Sequence, residues 1–259
     1  MLEFPAYKAK QLLSEYGIRD ITSISLEDLA FASGAVIEET DSINADGRTV
    51  FGLKYAIIKI NKNIQYIGKR RFTIAHEIGH LILHRNIQPI FFDNDSTLEY
   101  FKKGHQEAEA NEFASELLMP ETQFRTACMG KKFSPDLLRQ LAERFQTSIT
   151  SIAYKFFQFG NHPICLVYSY NNKVLYWKRP EGYDHFLVDY SRLPPPNGSV
   201  AHEFFKEKTI YSRNQSKQQI WKSTWFKVNT WENDNDTKFF EYCIITPRFN
   251  TVLSVIWQE

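Results

Sequence analysis

The chain has 259 residues, with 31 Lys and Arg against 30 Asp and Glu for a formal net charge of +1, and 43% of its residues are hydrophobic. That length spans one large domain or two ordinary ones; the apolar content excludes wholesale disorder, and near-neutral charge argues against a chain devoted to gripping nucleic acid. No apolar run approaches the roughly 18 residues needed to cross a bilayer, the N-terminus lacks a secretory h-region, and Cys128, Cys165 and Cys243 have neither metal nor redox spacing, so a reducing, cytoplasmic location is expected.

The first predicted element is a short helix in PAYKAKQLLSEYGI, with Ala9, Leu12, Leu13 and Tyr16 at helical spacing and Gly17 as its stop. Ser25 is placed to cap a second helix, SLEDLAFAS, whose Glu27 and Asp28 suit the positive end of the helix dipole. Two β-like runs follow Gly34: AVIEE, and GLKYAIIKIN at 52–61 with Tyr55, Ile57 and Ile58 as its apolar members. RRFTIAHEIGHLILHR, 70–85, is helical with a wide apolar stripe. The stretch QPIFFDNDSTLEYFKKGH, with Pro89 and a polar DNDS cluster, reads as irregular. HQEAEANEFASELLM is a second strong helix, stopped by Pro120, which can also open the next. Residues 134–158 suggest two short helices around Gln146-Thr147-Ser148.

After Gly160 the composition shifts to β-branched and aromatic residues. PICLVYSY and KVLYWKR flank Asn171-Asn172 as a hairpin, PPPNG at 194–198 is a rigid loop, and IWKSTWFKV, FFEYCIITP and TVLSVIWQE read as further strands. Trp177, Trp221, Trp225 and Trp231 are expected in the core. A boundary near residue 160 divides the chain into 1–159 and 160–259.

The sharpest chemical feature is His76-Glu77-Ile78-Gly79-His80. Histidines four apart on a helix project from one face about a turn from each other, where one tetrahedral zinc accepts both imidazoles. Glu77 then reaches water at the metal rather than the metal, as in the HExxH zinc hydrolases. A catalytic zinc takes three protein ligands, so a third must come from elsewhere. Glu107 and Asn111, four apart on the next helix, share a face that Ala110 and Ala114 keep thin. Glu107 can ligate, and Asn111 can bond the outer nitrogen of a ligand histidine, most plausibly His76. Glu109 should point elsewhere. His84 and His105 compete as third ligands or as carbonyl-binding groups, with His84 more readily read as a local packing residue. His162, His185 and His202 lie in the other domain without spacing.

FTIAHEIGHLILH followed by EAEANEFASELLMP closely resembles the ImmA/IrrE family of metallopeptidases, over the N-terminus to about residue 158. The resemblance implies His76, His80 and Glu107 as metal ligands, with Glu77 as general base and Asn111 beside a ligand where related zinc peptidases often carry aspartate. It implies an α+β chain: a mainly helical, zincin-like peptidase domain with a small sheet, followed by a strand-rich α/β domain that is GAF-like by analogy alone. It also implies zinc, with manganese as the alternative metal. The implied substrate is a helix-turn-helix repressor of the XRE type, whose cleavage derepresses stress-response or mobile-element genes. Many members carry a repressor-like DNA-binding domain upstream. Here the peptidase begins almost at Met1, so a separately encoded repressor is expected, with no direct nucleic-acid binding and no membrane.

Mechanistically, zinc would polarise the scissile carbonyl and acidify water, and Glu77 would move the proton to the leaving amine. The strand ending near Asn61 is expected to offer an edge to the substrate backbone. His105 or Tyr100 is a candidate oxyanion helper. The rivals are a DNA-binding regulatory protein, for which 134–158 looks like a helix-turn-helix, and a repressor-binding protein that does not cut. The second helix of that pair carries only Lys155 as a cation, whereas groove readers need several basic and amide side chains. An intact Glu77 weighs against a non-cleaving binder.

Overall fold

A computed structural model describes residues 4–43, 45–85, 104–229, 231 and 237–259. The chain forms two compact units, one of Met1–Phe124 with Ala142–Ser148 and one of Arg125–Leu141 with Ile149–Glu259. It is α+β, with nine α-helices and two sheets among the described residues.

The first unit opens with α1 (Phe4–Glu15), after which Gly17 takes a φ of +64°, a left-handed conformation that glycine adopts at little cost. Helix α2 (Leu26–Ala32) is capped by the Ser25 hydroxyl, which accepts from Asp28 N at 3.2 Å. Strands β1 (Ala35–Thr40), β2 (Gly47–Phe51) and β3 (Ala56–Asn61) form a sheet in the order β1-β3-β2. β3 pairs parallel with β1 and antiparallel with β2. Two expectations are corrected here. The run 52–61 is a strand only from Ala56, because Gly52 N donates to Tyr55 O at 3.1 Å and turns the chain between β2 and β3. And β3 offers no edge: it is central and paired on both sides, so β2, which packs on α3 (Ile67–His84), is the edge strand there.

α3 begins three residues before Arg70. At Gly68 a Cβ would meet the Thr147 carbonyl carbon at 2.8 Å, so only glycine lets the helix start run this close to that backbone. Every residue of α3 from Thr73 to Leu81 is buried. A helix enclosed on all sides is ordinarily apolar all round; the exceptions here are Thr73, His76, Glu77 and His80, which is where chemistry is to be sought. α3 packs against β2 and β3 as well as against α4 (His105–Leu118), which also lies on α1. Pro120 ends the α4 segment, and the buried Glu116 carboxylate accepts from Glu121 N at 2.9 Å, satisfying an otherwise open N–H at the start of α5 (Glu121–Cys128).

The second unit takes α6 (Pro135–Phe145) as far as Leu141 and the whole of α7 (Ile149–Phe159). Lys155 of α7 is only 2% exposed and lies over the Phe159 ring at 4.6 Å. Strands β4 (Cys165–Tyr170), β5 (Lys173–Lys178), β6 (Gln218–Ile220), β7 (Phe239–Thr246) and β8 (Thr251–Gln258) make an antiparallel sheet ordered β5-β4-β8-β7-β6. The expected β4–β5 hairpin turns at Asn171 and Asn172, with φ of 47° and 60°, the pair of positive values that a two-residue I′ turn requires. Helix α8 (Val200–Glu207) packs on β7 and β8.

IWKSTWFKV is not one strand: β6 stops at Ile220 and Lys222–Trp225 forms a one-turn helix, α9. The turn lets Ile220 and Trp225 both reach the core, at 7% and 1% exposure, although their odd spacing would put them on opposite faces of a strand. Of the four tryptophans read as core, only Trp225 is; Trp177, Trp221 and Trp231 are exposed.

Beneath α8, Glu241 is wholly buried, and its carboxylate accepts from Val200 N (2.8 Å), Ala201 N (3.4 Å), Trp225 Nε1 (3.2 Å) and Ser254 Oγ (2.6 Å). Burial raises its pKa against the pull of these donors. All three cysteines are free thiols within this unit. Burial pushes Cys128 up to about 11 and Cys165 up to about 12, and raises Cys243 well above the ordinary thiol value.

Candidate metal centre

The helical repeat places His76 and His80 on one side of α3, with ring centroids 4.7 Å apart and their Nε2 atoms 3.0 Å apart. Glu107 enters from the first turn of α4, where the helix dipole favours an anion. Its Oε2 lies 3.2 Å from His76 Nε2 and its Oε1 3.4 Å from His80 Nε2. The two helices meet closely because the motif carries glycine at its fourth position. A Cβ on Gly79 would come within 3.2 Å of Ala110 Cα and of Ala110 O.

Asn111, one turn beyond Glu107, presents Oδ1 at 3.0 Å from His76 Nδ1. A carbonyl oxygen accepts, so Nδ1 donates and the lone pair of a neutral ring sits on Nε2, towards Glu107. Burial lowers the His80 pKa to about 4, so its ring is neutral at pH 7.

The three groups fit a divalent cation. Their ligand atoms lie within 4.8 Å of one another, and two nitrogens with one carboxylate oxygen is a donor set typical of zinc. Glu107 Oε2 is buried and receives no hydrogen bond of good geometry, although an ionised carboxylate in such a setting ordinarily finds one. A positive ion at this point would satisfy it.

Glu77 is not among the converging groups. It is fully buried and lies against β2, where Thr49 Oγ1 donates to its Oε2 at 2.5 Å. Gly47 leaves room for it: a Cβ there would stand 2.7 Å from Glu77 Oε1 and 2.7 Å from Thr73 Cγ2. Sequence reasoning missed Gly47 and Thr49 because it did not foresee β2. The signal available was the Asp46-Gly47 turn signature ahead of the alternating Thr49 and Phe51.

The competing histidines lie elsewhere. His84 is buried, with Nδ1 3.1 Å from His80 Nδ1 and Nε2 2.8 Å from Glu109 Oε2. His105 is exposed and pairs with the other oxygen of Glu109 at 3.1 Å. Glu109 thus points away from the three converging groups. His162 and His185 bond to Gln258, and His202 to the Pro195 carbonyl. Tyr100 falls outside the described residues.

Comparisons with known proteins bear on the family. Residues 33–157 match the family model of the M78 peptidases, described as an IrrE N-terminal-like domain. The metallopeptidase ImmA of Bacillus subtilis (strain 168) is 33% identical over 106 residues, which is 40% of this chain and 57% of that protein. The chain therefore spans just over half the length of the curated relative it matches. Among solved structures, a Mycobacterium tuberculosis transcriptional regulator superposes with a TM-score of 0.62 over 99% of this chain and 76% of its own, at 15% identity. That likeness concerns the fold alone. The helix-borne HEIGH motif lies inside residues 33–157, which match the IrrE N-terminal-like domain of the M78 peptidases, so it is this segment that carries the likeness to the ImmA/IrrE family.

Proposed function

We propose that this chain is a metal-dependent endopeptidase that cleaves a separately encoded helix-turn-helix repressor of the XRE type, relieving repression of stress-response or mobile-element genes. The observation that carries the reading is the convergence of His76, His80 and Glu107 one residue from a buried Glu77 that β2 holds in place. In this assignment the three converging residues hold zinc, with manganese as the alternative, and Asn111 orients His76. When bound, the metal supplies Lewis acidity that acidifies water and polarises a carbonyl.

The chain's own residues supply the rest. Glu77 accepts a proton from water at its carboxylate and passes it to the departing amine. The Thr49 hydroxyl on Oε2 fixes the carboxylate plane, so the proton is handled at a set position. β2, paired only with β3 among the described residues, offers main-chain groups to an extended substrate segment. Such pairing tolerates many sequences, so substrate choice rests on contacts outside the cleft. The same arrangement supports the zincin-like reading of the first unit.

For 160–259 we assign a sensor or docking role of the GAF-like kind. It is supported by the five-stranded sheet and by a cavity of about 320 Å³ that Tyr211, Tyr242 and Ile245 line together with Arg139 from outside that range, a size that small-molecule sites reach. The burial of Lys155 supports a packing role for α6 and α7 over DNA reading.

The test is incubation of the purified full-length protein, with zinc, with the repressor encoded beside its gene, followed by mass spectrometry of the products. Cleavage at one position by the wild type, none by Glu77→Gln, and equal metal content in both is the expected result. Cleavage retained in Glu77→Gln would remove Glu77 as the base. An uncut repressor that co-purifies with the wild type would favour the non-cleaving binder.

A further inference from the structure

We infer that His84 and Glu109 form a positioning pair that fixes which nitrogen of His80 carries the proton, and hence which nitrogen is presented to the metal. This rests on the metal-centre reading above and assigns a task to two side chains that the ligand set does not use. Among the seven histidines, His84 is as deeply buried as the ligands themselves, at 1% exposure. A buried imidazole needs partners for both nitrogens. Its Nε2 faces Glu109 Oε2 at 2.8 Å. A carboxylate can only accept, so Nε2 carries the proton and donates. In the neutral ring Nδ1 is then an acceptor, and the atom it faces, His80 Nδ1 at 3.1 Å, must donate. The proton of His80 is thereby placed on Nδ1, and its lone pair on Nε2, the atom 3.4 Å from Glu107 Oε1.

The same logic runs through the other ligand by a different residue. His76 Nδ1 is held by Asn111 and His80 Nδ1 by the Glu109–His84 pair, so α4 sets the tautomer of both rings while also supplying Glu107. Helix geometry explains the unequal means. Asn111 shares a face with Glu107 and reaches His76 directly, whereas His80 lies one turn further along α3 and has His84 on its Nδ1 side. Glu109 reaches that second ring, and His105 holds its remaining oxygen at 3.1 Å. Partners of this kind typically change metal affinity about 10–100-fold when removed.

The experiment uses the full-length protein and zinc itself, by competition with a chromophoric chelator, together with long-range nitrogen–proton NMR of the histidine rings in the metal-free protein. In the wild type the spectra should show His80 protonated at Nδ1. His84→Phe keeps the ring's bulk but offers no acceptor, and should weaken zinc binding about 10–100-fold and leave His80 in mixed tautomers. Glu109→Ala should weaken it less, and Glu109→Gln, which still accepts through its amide oxygen, should recover most of the loss. A purely structural role for the pair would lower thermal stability in step across these variants without changing the His80 tautomer. Zinc binding by a folded His84→Phe at wild-type strength overturns the inference, as does an Nε2-protonated His80 in the wild type. The latter reading needs no variant to fold. Failure of the wild type to bind one zinc would instead sink the metal-centre reading, while the ring spectra would still report the His84–His80 bond.

Discussion

Glu107 and Glu241 are both carboxylates set beside the start of a helix and largely removed from water, yet their surroundings are opposite. In the second unit, Glu241 accepts from two main-chain amides of α8, an indole and a hydroxyl. With the Cys243 thiol, which donates to Oε1 at 3.4 Å, five donors from separate parts of the sequence close on one side chain. In the first unit, Glu107 faces two imidazole nitrogens, and its Oε2 takes no hydrogen bond of good geometry. A buried acid surrounded by donors ties a fold together; a buried acid surrounded by acceptors is waiting for a cation. Exposure separates them only by degree, Glu241 being wholly buried and the Glu107 side chain 15% exposed. The inventory of donors separates them in kind.

The sharpest way to break this contrast is to delete each acid in turn. Glu241→Ala strands several buried donors and opens a cavity, and should lower stability in urea unfolding by about 4 kcal/mol. Glu107→Ala should change the metal-free protein by less than about 1 kcal/mol, because no donor is orphaned. It should instead abolish the gain that zinc gives the wild type, about 2.7 kcal/mol at a hundredfold excess over Kd. Equal losses in the metal-free variants would erase the distinction. Next in size, Gly79→Ala pushes α4 off α3 through the 3.2 Å approach to Ala110. It should cost about 2 kcal/mol as an overpacked core site and weaken zinc binding, both readable in one calorimetric titration series.

Thr49→Val removes the hydroxyl bound to Glu77 and should cost about 1 kcal/mol. Cleavage should slow while zinc affinity stays put; a matched loss of both would place Thr49 in the metal site rather than beside the base. Asp20 supplies the solvent-exposed reference. Against burial, which raises it, hydrogen bonds from Thr22 and Arg144 hold its carboxyl at about 2. The folded value lies below the unfolded one, so the stabilisation is complete above about pH 4 and disappears as pH falls towards 2. With 37% of the side chain exposed, screening keeps it under about 1 kcal/mol. Asp20→Asn should therefore match the wild type at pH 2 and fall slightly behind it at pH 7.

The legible parts of the chain were those governed by local period. Ser25 before an acidic turn, Asn171-Asn172 between alternating runs, and histidines at helical spacing each carry their structure within a few residues. Glu107 was readable because Asn111 and two alanines mark the face it shares. What was not readable depends on distant partners. β2 exists because β3 pairs with it over five residues that begin with glycine and arginine, which carry little strand preference, and Thr49 went unseen with it. α9 interrupts a run that alternates well enough to pass for a strand, since only the core decides that Trp225 turns inward. Glu241 looks like any acid in FFEYCIITP until residues 200, 225 and 254 arrive around it. Glu109 faces away from Glu107, as its two-residue offset implies, and nothing local to it marks the histidine it meets.

Two of the three thiols of the second unit form a built-in clock. Because only thiolates react, and burial holds the enclosed Cys128 and Cys165 far from ionisation, a thiol reagent should label these two in the native chain at a rate set by opening rather than by chemistry. The first unit has no cysteine at all, so the fraction labelled at these two positions times excursions of the second unit alone. Running the same clock with and without zinc, a ligand of the first unit in the reading above, then reports whether those excursions respond to the metal, with no mutation and no added probe.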